Sequence, residues 1–164
     1  MKYKTLILGY GNPDRGDDGV ALFILNHLIA QKRHTPINLL ETGFSILNES
    51  IDLWYNLQLV PEISEILAKY QRAVFIDAHT GKIQEDLKIS EIKPYYQNSP
   101  LTHHSTPASC LSLAQGLFGS APKSILVSVR GYQFNFTNNL SNKTKGLAIK
   151  ASEYILNWIN TLNE

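Results

Sequence analysis

Three short apolar segments of the chain have the pattern of buried β-strands. They are "YKTLILGYG" (3–11), "RAVFIDAHTG" (72–81) and "SILVSVRGY" (124–132), each rich in Leu, Ile, Val or Phe. Short apolar runs that end at glycine or at a polar residue are typical of strands covered on both faces of a sheet. The segments "IDLWYNLQL" (51–59) and "LKISEIK" (87–93) predict two further strands, the second at an edge of the sheet.

Segments whose apolar residues have helical spacing alternate with these strands. The helical segments are 17–33, 60–70, 106–119 and a C-terminal helix that starts near Ser141. Asp17 or Asp18 is expected to cap the first helix, and Thr106 followed by Pro107 is a typical start for the third. Residues 34–50 are ambiguous, since they fit either a strand with a loop or an insertion.

Strands that alternate with helices predict an α/β fold, here a three-layer α/β/α sandwich with a mostly parallel twisted sheet. The length of 164 residues suits a single domain that spans 1–164. The sequence contains no internal repeat, low-complexity segment or domain linker.

Composition excludes several classes of protein. The net charge is +1, which provides no overall field for binding nucleic acid or an anionic membrane. The chain has one cysteine, Cys110, so it forms no internal disulfide, as is usual in a reducing compartment. No segment approaches the roughly 18 apolar residues of a membrane span, and the first apolar run is too short for a signal peptide. We therefore expect a soluble cytoplasmic protein.

The segment "GYGNPDRGDDGVA" (9–21) begins like a dinucleotide-binding loop but carries acidic residues. Gly9 and Gly11 fit the first two glycines of G-x-G-x-x-G, whereas Asp14 stands at the third. The acidic residues of the segment are Asp14, Asp17 and Asp18. Their charges would repel a pyrophosphate, so the loop is arranged for a cation. The chain also lacks the motifs G-K-[ST], G-x-S-x-G and H-E-x-x-H.

Potential metal ligands are expected to meet at one edge of the predicted sheet. Asp18 follows the first strand, Asp77 ends another, and His103 and His104 precede a helix. Ligands of open α/β sheets bind beyond the carboxyl ends of the strands. Carboxylates with an imidazole suit a divalent first-row ion. The alternatives are equally simple: each aspartate caps a helix or a turn, and each histidine is a surface residue.

The remaining histidines and the cysteine have plainer interpretations. His79 lies two residues after Asp77 and competes with the other histidines for a metal role. We interpret His27 and His34 as ordinary helix and loop residues. Cys110 lies among leucines in a predicted helix, which favours core packing over nucleophilic chemistry.

Three motifs in order resemble those of the nickel–iron hydrogenase maturation peptidases. "LILGYGNPDRGDDGVA" (6–21) resembles the opening signature of that family, a strand with G-x-G-N, a linker and D-[DE]-G-x-G. "FIDAHTG" (75–81) resembles its second motif, and "THHSTPASCLSLA" (102–114) its third. The segments "QLVPEISEIL" and "FNFTNNLS" are also similar to one branch of the family. Ala21 stands where the family often has glycine.

The resemblance implies an endopeptidase that removes the C-terminal extension of the hydrogenase large-subunit precursor after nickel insertion. Carried over motif by motif, Asp18, Asp77 and His103 would be the catalytic and metal-binding residues, with His104 as an alternative to His103. The nickel would be supplied by the precursor as a recognition element, although other divalent ions could occupy the site, and no organic cofactor is implied. The implied partner is the nickel-loaded precursor, and the protein would act as a monomer.

Other classes of protein share parts of this pattern. "GYGNPD" (9–14) also resembles the opening turn of peptidyl-tRNA hydrolase, but the Thr-Arg-His-Asn run of that family is missing and "RGDDG" stands instead. A tRNA-binding protein also needs a basic face, for which the net charge gives little support. A non-catalytic nucleotide- or metal-binding domain and a related peptidase with another substrate are further alternatives.

Overall fold

The computed structural model describes residues 4–32, 43–96 and 104–161, which form six strands and four α-helices. The strands are β1 (Thr5–Tyr10), β2 (Gly43–Ile46), β3 (Ile51–Asn56), β4 (Arg72–His79), β5 (Leu87–Ile92) and β6 (Lys123–Arg130). The helices are α1 (Val20–Lys32), α2 (Ile63–Leu67), α3 (Pro107–Phe118) and α4 (Asn142–Thr161).

The strands form one mixed sheet in the order β2-β3-β1-β4-β6-β5. The four central strands are parallel to one another, whereas β2 and β5 are antiparallel edge strands. The α/β prediction and the edge position of β5 are therefore confirmed. In the ambiguous segment 34–50, the described part contains β2, and residues 34–42 lie outside the described ranges.

Two apolar cores cover the two faces of the sheet. Alternate residues of β1 and β4 point to opposite faces, because the side-chain period of a strand is two. One core joins the sheet to α1 and α4 through Ile7, Val74, Ile76, Ile24, Leu28 and Ile155. The other joins it to α2 and α3 through Leu6, Leu8, Phe75, Ile63, Leu67 and Leu111. These layers confirm the predicted sandwich. Within the three described ranges, no helix is long and apolar enough to cross a membrane.

Helix α3 begins and ends where the sequence predicts. Thr106 Oγ1 accepts a hydrogen bond from the backbone N–H of Ser109 at 3.1 Å, and Ser109 Oγ accepts one from the N–H of Thr106 at 2.8 Å. This reciprocal capping box satisfies two donors that a helix start leaves without partners. Pro107 is the first helical residue, and Gly119 is the C-terminal cap. Helix α2 is shorter than predicted, since it spans Ile63–Leu67 within the segment 60–70.

The prediction that Asp17 or Asp18 caps the first helix is wrong. Both residues lie inside a 3₁₀ turn, Gly16–Gly19, that leads directly into α1. The cap of this turn is Arg15, which makes no side-chain capping hydrogen bond. The two carboxylates instead accept hydrogen bonds from other parts of the chain.

Asp17 is fully buried and joins the glycine loop to the loop that follows β6. Its carboxylate accepts hydrogen bonds from the backbone N–H groups of Tyr132, Gln133 and Ser141 at 2.8, 2.9 and 2.7 Å. The hydroxyl of Ser141 donates a fourth at 2.7 Å. Burial acts to raise the pKa of Asp17, but these hydrogen bonds outweigh it and lower the pKa below the ordinary value.

The two loops also pair through their backbones. The N–H of Gly16 donates to the carbonyl of Thr137 at 2.7 Å, and the N–H of Thr137 donates to the carbonyl of Asp14 at 3.0 Å. Gly131 lies so close to Asp17 that an added Cβ would be 2.8 Å from the Cβ of Asp17. The first and last thirds of the chain are thus held together around one buried charge.

We predict that Asp17→Asn lowers the free energy of unfolding at pH 7 by about 2–5 kcal/mol, because the amide replaces one acceptor oxygen with an NH2 donor and the surrounding groups are all donors. Because the folded-state pKa is lowered, the carboxylate stabilises the protein above the unfolded-state pKa of about 4 and loses that effect as the pH falls through the folded-state value. Urea denaturation of both proteins between pH 7 and pH 3 measures the difference, which should shrink in acid. The exposed Asp14→Asn is the control, and equal losses in the two variants would contradict the prediction.

Candidate functional site

The centre of the sheet brings the end of β1 beside the end of β4. Gly9 pairs with Ile76 in the parallel register, so Tyr10 and Asp77 are neighbours at the carboxyl ends of adjacent strands. Helix α1 follows β1 on one face, and α3 lies on the other. In α/β proteins, ligands bind in the crevice beyond the carboxyl ends of the strands, at the point where the connecting helices change from one face of the sheet to the other.

Asp77 is held largely away from water at this edge, and its pKa is raised to about 6. Burial is the main cause, and the negative charge of Asp18 adds to it. Hydrogen bonds from the Tyr10 hydroxyl and from the backbone of Ala78 act in the opposite direction. Desolvation and a like charge both disfavour the ionised form, so Asp77 titrates close to neutral pH.

Asp18 faces the same edge from the 3₁₀ turn after β1. Its Oδ2 accepts a hydrogen bond from the backbone N–H of Asn12 at 2.8 Å. It raises the pKa values of both Asp77 and Tyr55 through its charge. The two aspartates therefore share one electrostatic environment, although they come from separate parts of the chain.

Gly11 sets the path of the loop between Tyr10 and Asn12. Its φ of 139° lies in the region that favours glycine, and an added Cβ would overlap the carbonyl oxygen of Asp18. The buried hydroxyl of Tyr55 donates to the Gly11 carbonyl at 2.7 Å. Burial, followed by the charges of Asp18 and Asp14, raises the pKa of Tyr55 to about 12, so it remains a donor at neutral pH.

Tyr10 is a site residue that the sequence patterns did not single out. It packs at the edge of the core beneath α3, and its hydroxyl is hydrogen-bonded to Asp77. Burial raises the pKa of Tyr10 well above its ordinary value, and the charge of Asp77 raises it further. The available signal was its place as the last residue of an apolar strand, just before the glycine loop.

The histidines fall in different surroundings. His103 and His34 lie outside the described residues, so their roles stay predictions. His104 is exposed, two residues before the cap of α3. His27 stacks on Phe23 with ring centroids 6.0 Å apart, which supports its interpretation as an ordinary helix residue.

His79 is buried and points to the same face of β4 as Asp77. The N–H of Gly81 donates to its Nδ1 at 3.1 Å, so the neutral ring carries its proton on Nε2. Within the described ranges, Nε2 has no hydrogen-bond partner.

Cys110 is a core residue, as predicted. It is fully buried, and its Sγ is 3.9 Å from the carbonyl of Val60. Burial raises the pKa of the thiol to about 11, although a hydrogen bond involving Ser109 acts to lower it. A thiol with this pKa is protonated at neutral pH and is a poor nucleophile.

In the part of the chain that the structure describes, no three His, Cys, Asp or Glu side chains are grouped to hold a metal ion. Asp18 and Asp77 form a pair of oxygen donors instead. Carboxylate oxygens bind divalent ions, so the pair suits part of a cation site, and a cation there would favour the charged form of Asp77.

We predict that Asp77→Asn stabilises the protein at pH 8 by about 1–3 kcal/mol, because the raised pKa makes the ionised side chain costly in the folded state. The folded protein binds a proton at Asp77 more tightly than the unfolded chain does. Wild-type stability therefore falls, relative to the variant, as the pH rises from about 4 through 6. Thermal or urea denaturation at pH 4, 6 and 8 measures this. The exposed Glu153→Gln is the control, and a gap that is constant across the three pH values would contradict the prediction.

No protein-family model matches the sequence, and no curated protein matches it significantly. Solved structures do match. The hydrogenase maturating endopeptidase HybD from E. coli aligns with a TM-score of 0.69 and 20% identity, over 96% of this chain and 93% of its own. The NiFe hydrogenase maturation protease HycI from Thermococcus kodakarensis KOD1 aligns with a TM-score of 0.63 and 21% identity, over 97% and 94%.

A third structure, the NiFe hydrogenase maturation protease HybD from Thermococcus kodakarensis, has a TM-score of 0.59 and 19% identity, over 98% of this chain and 99% of its own. Each of the three alignments covers more than 90% of both chains. This chain therefore has the α/β fold of solved hydrogenase maturation proteases.

Proposed function

We propose that this protein is a cytoplasmic endopeptidase that removes the C-terminal extension of a nickel–iron hydrogenase large-subunit precursor after nickel insertion. The observation that carries the proposal is the pairing of Asp18 and Asp77 at the carboxyl edge of the sheet. The fold shared with the maturation proteases and the three sequence motifs agree with it.

In this proposal, the nickel belongs to the substrate. The precursor holds the ion with its own cysteine thiolates, and the enzyme adds oxygen and nitrogen donors from Asp18, Asp77 and His103. Hard donors without thiolates bind nickel weakly, so the enzyme alone retains little of the ion. A precursor without nickel then lacks the group that holds it to the site, which accounts for selection of the loaded form.

The electrostatics of the two aspartates support this order of events. Without a cation, burial and the charge of Asp18 raise the pKa of Asp77. The approach of a nickel-loaded precursor supplies positive charge where two carboxylates meet, which favours both ionised forms. Bound nickel would fix the position of the precursor's C-terminal segment relative to the two carboxylates, so that one peptide bond is presented for hydrolysis.

We predict that Asp18→Asn loses at least 100-fold in the rate of tail removal from the nickel-loaded precursor, because one of the donors to the ion loses its charge. The experiment incubates purified enzyme with a candidate large-subunit precursor, with and without nickel, and follows the intact mass of the precursor. Removal of the tail from the loaded precursor alone is the expected result for wild type.

Asp14→Asn is the matched control. Asp14 lies in the same loop, is exposed, and also acts on Tyr55 through its charge. We expect this variant to process the precursor at close to the wild-type rate. Equal processing by the Asp18→Asn enzyme, or cleavage of the precursor without nickel, would refute the proposed role of the aspartate pair.

Single substitutions distinguish the roles of the two adjacent histidines. We propose His103 as the ligand, since His104 is exposed and the spacing of His103 to Leu111 is the commoner one in the resemblance. His103→Ala should lose processing to the same extent as Asp18→Asn, whereas His104→Ala should keep it within a few-fold. The reverse pattern in the mass assay would assign the role to His104.

A further inference from the structure

The loop Tyr10–Asn12 contacts both aspartates of the site. The hydroxyl of Tyr10 is hydrogen-bonded to the carboxylate of Asp77. The backbone N–H of Asn12 donates to Oδ2 of Asp18 at 2.8 Å. One three-residue stretch therefore supplies a hydrogen-bond donor to each acid.

The stretch is itself held firmly. The carbonyl of Gly11 accepts a 2.7 Å hydrogen bond from the buried hydroxyl of Tyr55, and the N–H of Gly11 donates to the carbonyl of Asn56 at 3.3 Å. The parallel register of β1 and β4 fixes Tyr10 beside Asp77. The Tyr10 ring packs against the apolar core beneath α3.

We propose that Tyr10 is a positioning residue that holds the Asp77 carboxylate in the orientation needed for the bound substrate. The proposal rests on the proposed function of the Asp18–Asp77 pair and adds a residue to it. The hydrogen bond from the Tyr10 hydroxyl restricts rotation of the Asp77 side chain about χ1, and the backbone of Ala78 adds a second contact to the same carboxylate. Tyr10 touches neither the substrate nor the reacting atoms in this arrangement.

A second tyrosine–aspartate pair provides a matched control at the opposite end of the strands. The hydroxyl of Tyr70 donates to Oδ2 of Asp52 at 2.6 Å, and Lys4 Nζ lies 3.1 Å from the same oxygen. Asp52 and Tyr70 are both buried, near the start of β3 and just before β4. Tyr70→Phe thus removes the same kind of hydrogen bond far from the candidate site.

The test compares Tyr10→Phe with Tyr70→Phe, each of which deletes one oxygen and keeps the packed ring. The first readout needs no substrate. Three-bond NMR couplings from the Asp77 Cγ to its backbone nitrogen and carbonyl carbon report the χ1 populations. We expect one dominant rotamer in wild type and in Tyr70→Phe, and averaging over rotamers in Tyr10→Phe. A single unchanged rotamer in Tyr10→Phe would overturn the proposal.

The second readout is steady-state processing of the nickel-loaded precursor. Loss of a hydrogen bond that orients a metal-binding group typically costs about 10-fold to 100-fold in activity. We expect Tyr10→Phe to lose that much in kcat with KM within about 2-fold of wild type, and Tyr70→Phe to keep both values. Equal kcat values for the two variants would overturn the proposal. If wild type processes no precursor, the proposed function fails, and the couplings alone still decide the role of Tyr10.

Discussion

The buried charge of Asp17 is the interaction on which the shape of the site edge depends. A carboxylate removed from water is costly unless donors surround it, and here four donors from Tyr132, Gln133 and Ser141 do so. These donors belong to the loop after β6, so the glycine loop and the C-terminal part of the chain fold against each other. Asp17 is thereby fully buried, whereas its neighbour Asp18 is partly exposed and accepts one described backbone hydrogen bond, from Asn12. Two adjacent aspartates thereby serve separate purposes, one in the fold and one at the candidate site.

The topology of the sheet creates a second constraint, since it places Asp77 beside the end of β1, directly after a run of four buried apolar residues in β4. Residues Ala73–Ile76 are buried on both sides, and the carboxylate that follows them is only partly hydrated. Its raised pKa is a cost to stability that simple packing would not require. Groups with such perturbed pKa values concentrate at functional sites, where a ligand supplies the missing partner. The conflict between folding and charge at Asp77 is therefore itself an argument for a cationic substrate group.

The two tyrosine–aspartate pairs illustrate how the same hydrogen bond acquires different roles. Tyr70 and Asp52 lie near the starts of the strands, where Lys4 balances the charge of the carboxylate. Tyr10 and Asp77 lie at the ends of the strands, where the nearby charge is that of Asp18 and has the same sign. The first pair is electrostatically complete and contributes to stability. In the proposed function, the second pair is completed by the positive charge that the substrate brings.

The sequence by itself determined the α/β class, the edge strand β5 and the start and end of α3, because these follow from local periodicity and from the short-range chemistry of Thr106, Pro107 and Gly119. It also marked Asp18 and Asp77, because both follow apolar strands. It failed to distinguish Asp17 from Asp18 and assigned one of them a capping role. It also did not indicate Tyr10 as a site residue. Tertiary structure decided these points, since the partners of Asp17 are more than 110 residues away along the chain and Tyr10 meets Asp77 only through the pairing of β1 with β4. Periodicity reports which face of an element is buried, but the pairing of polar groups depends on which distant elements meet.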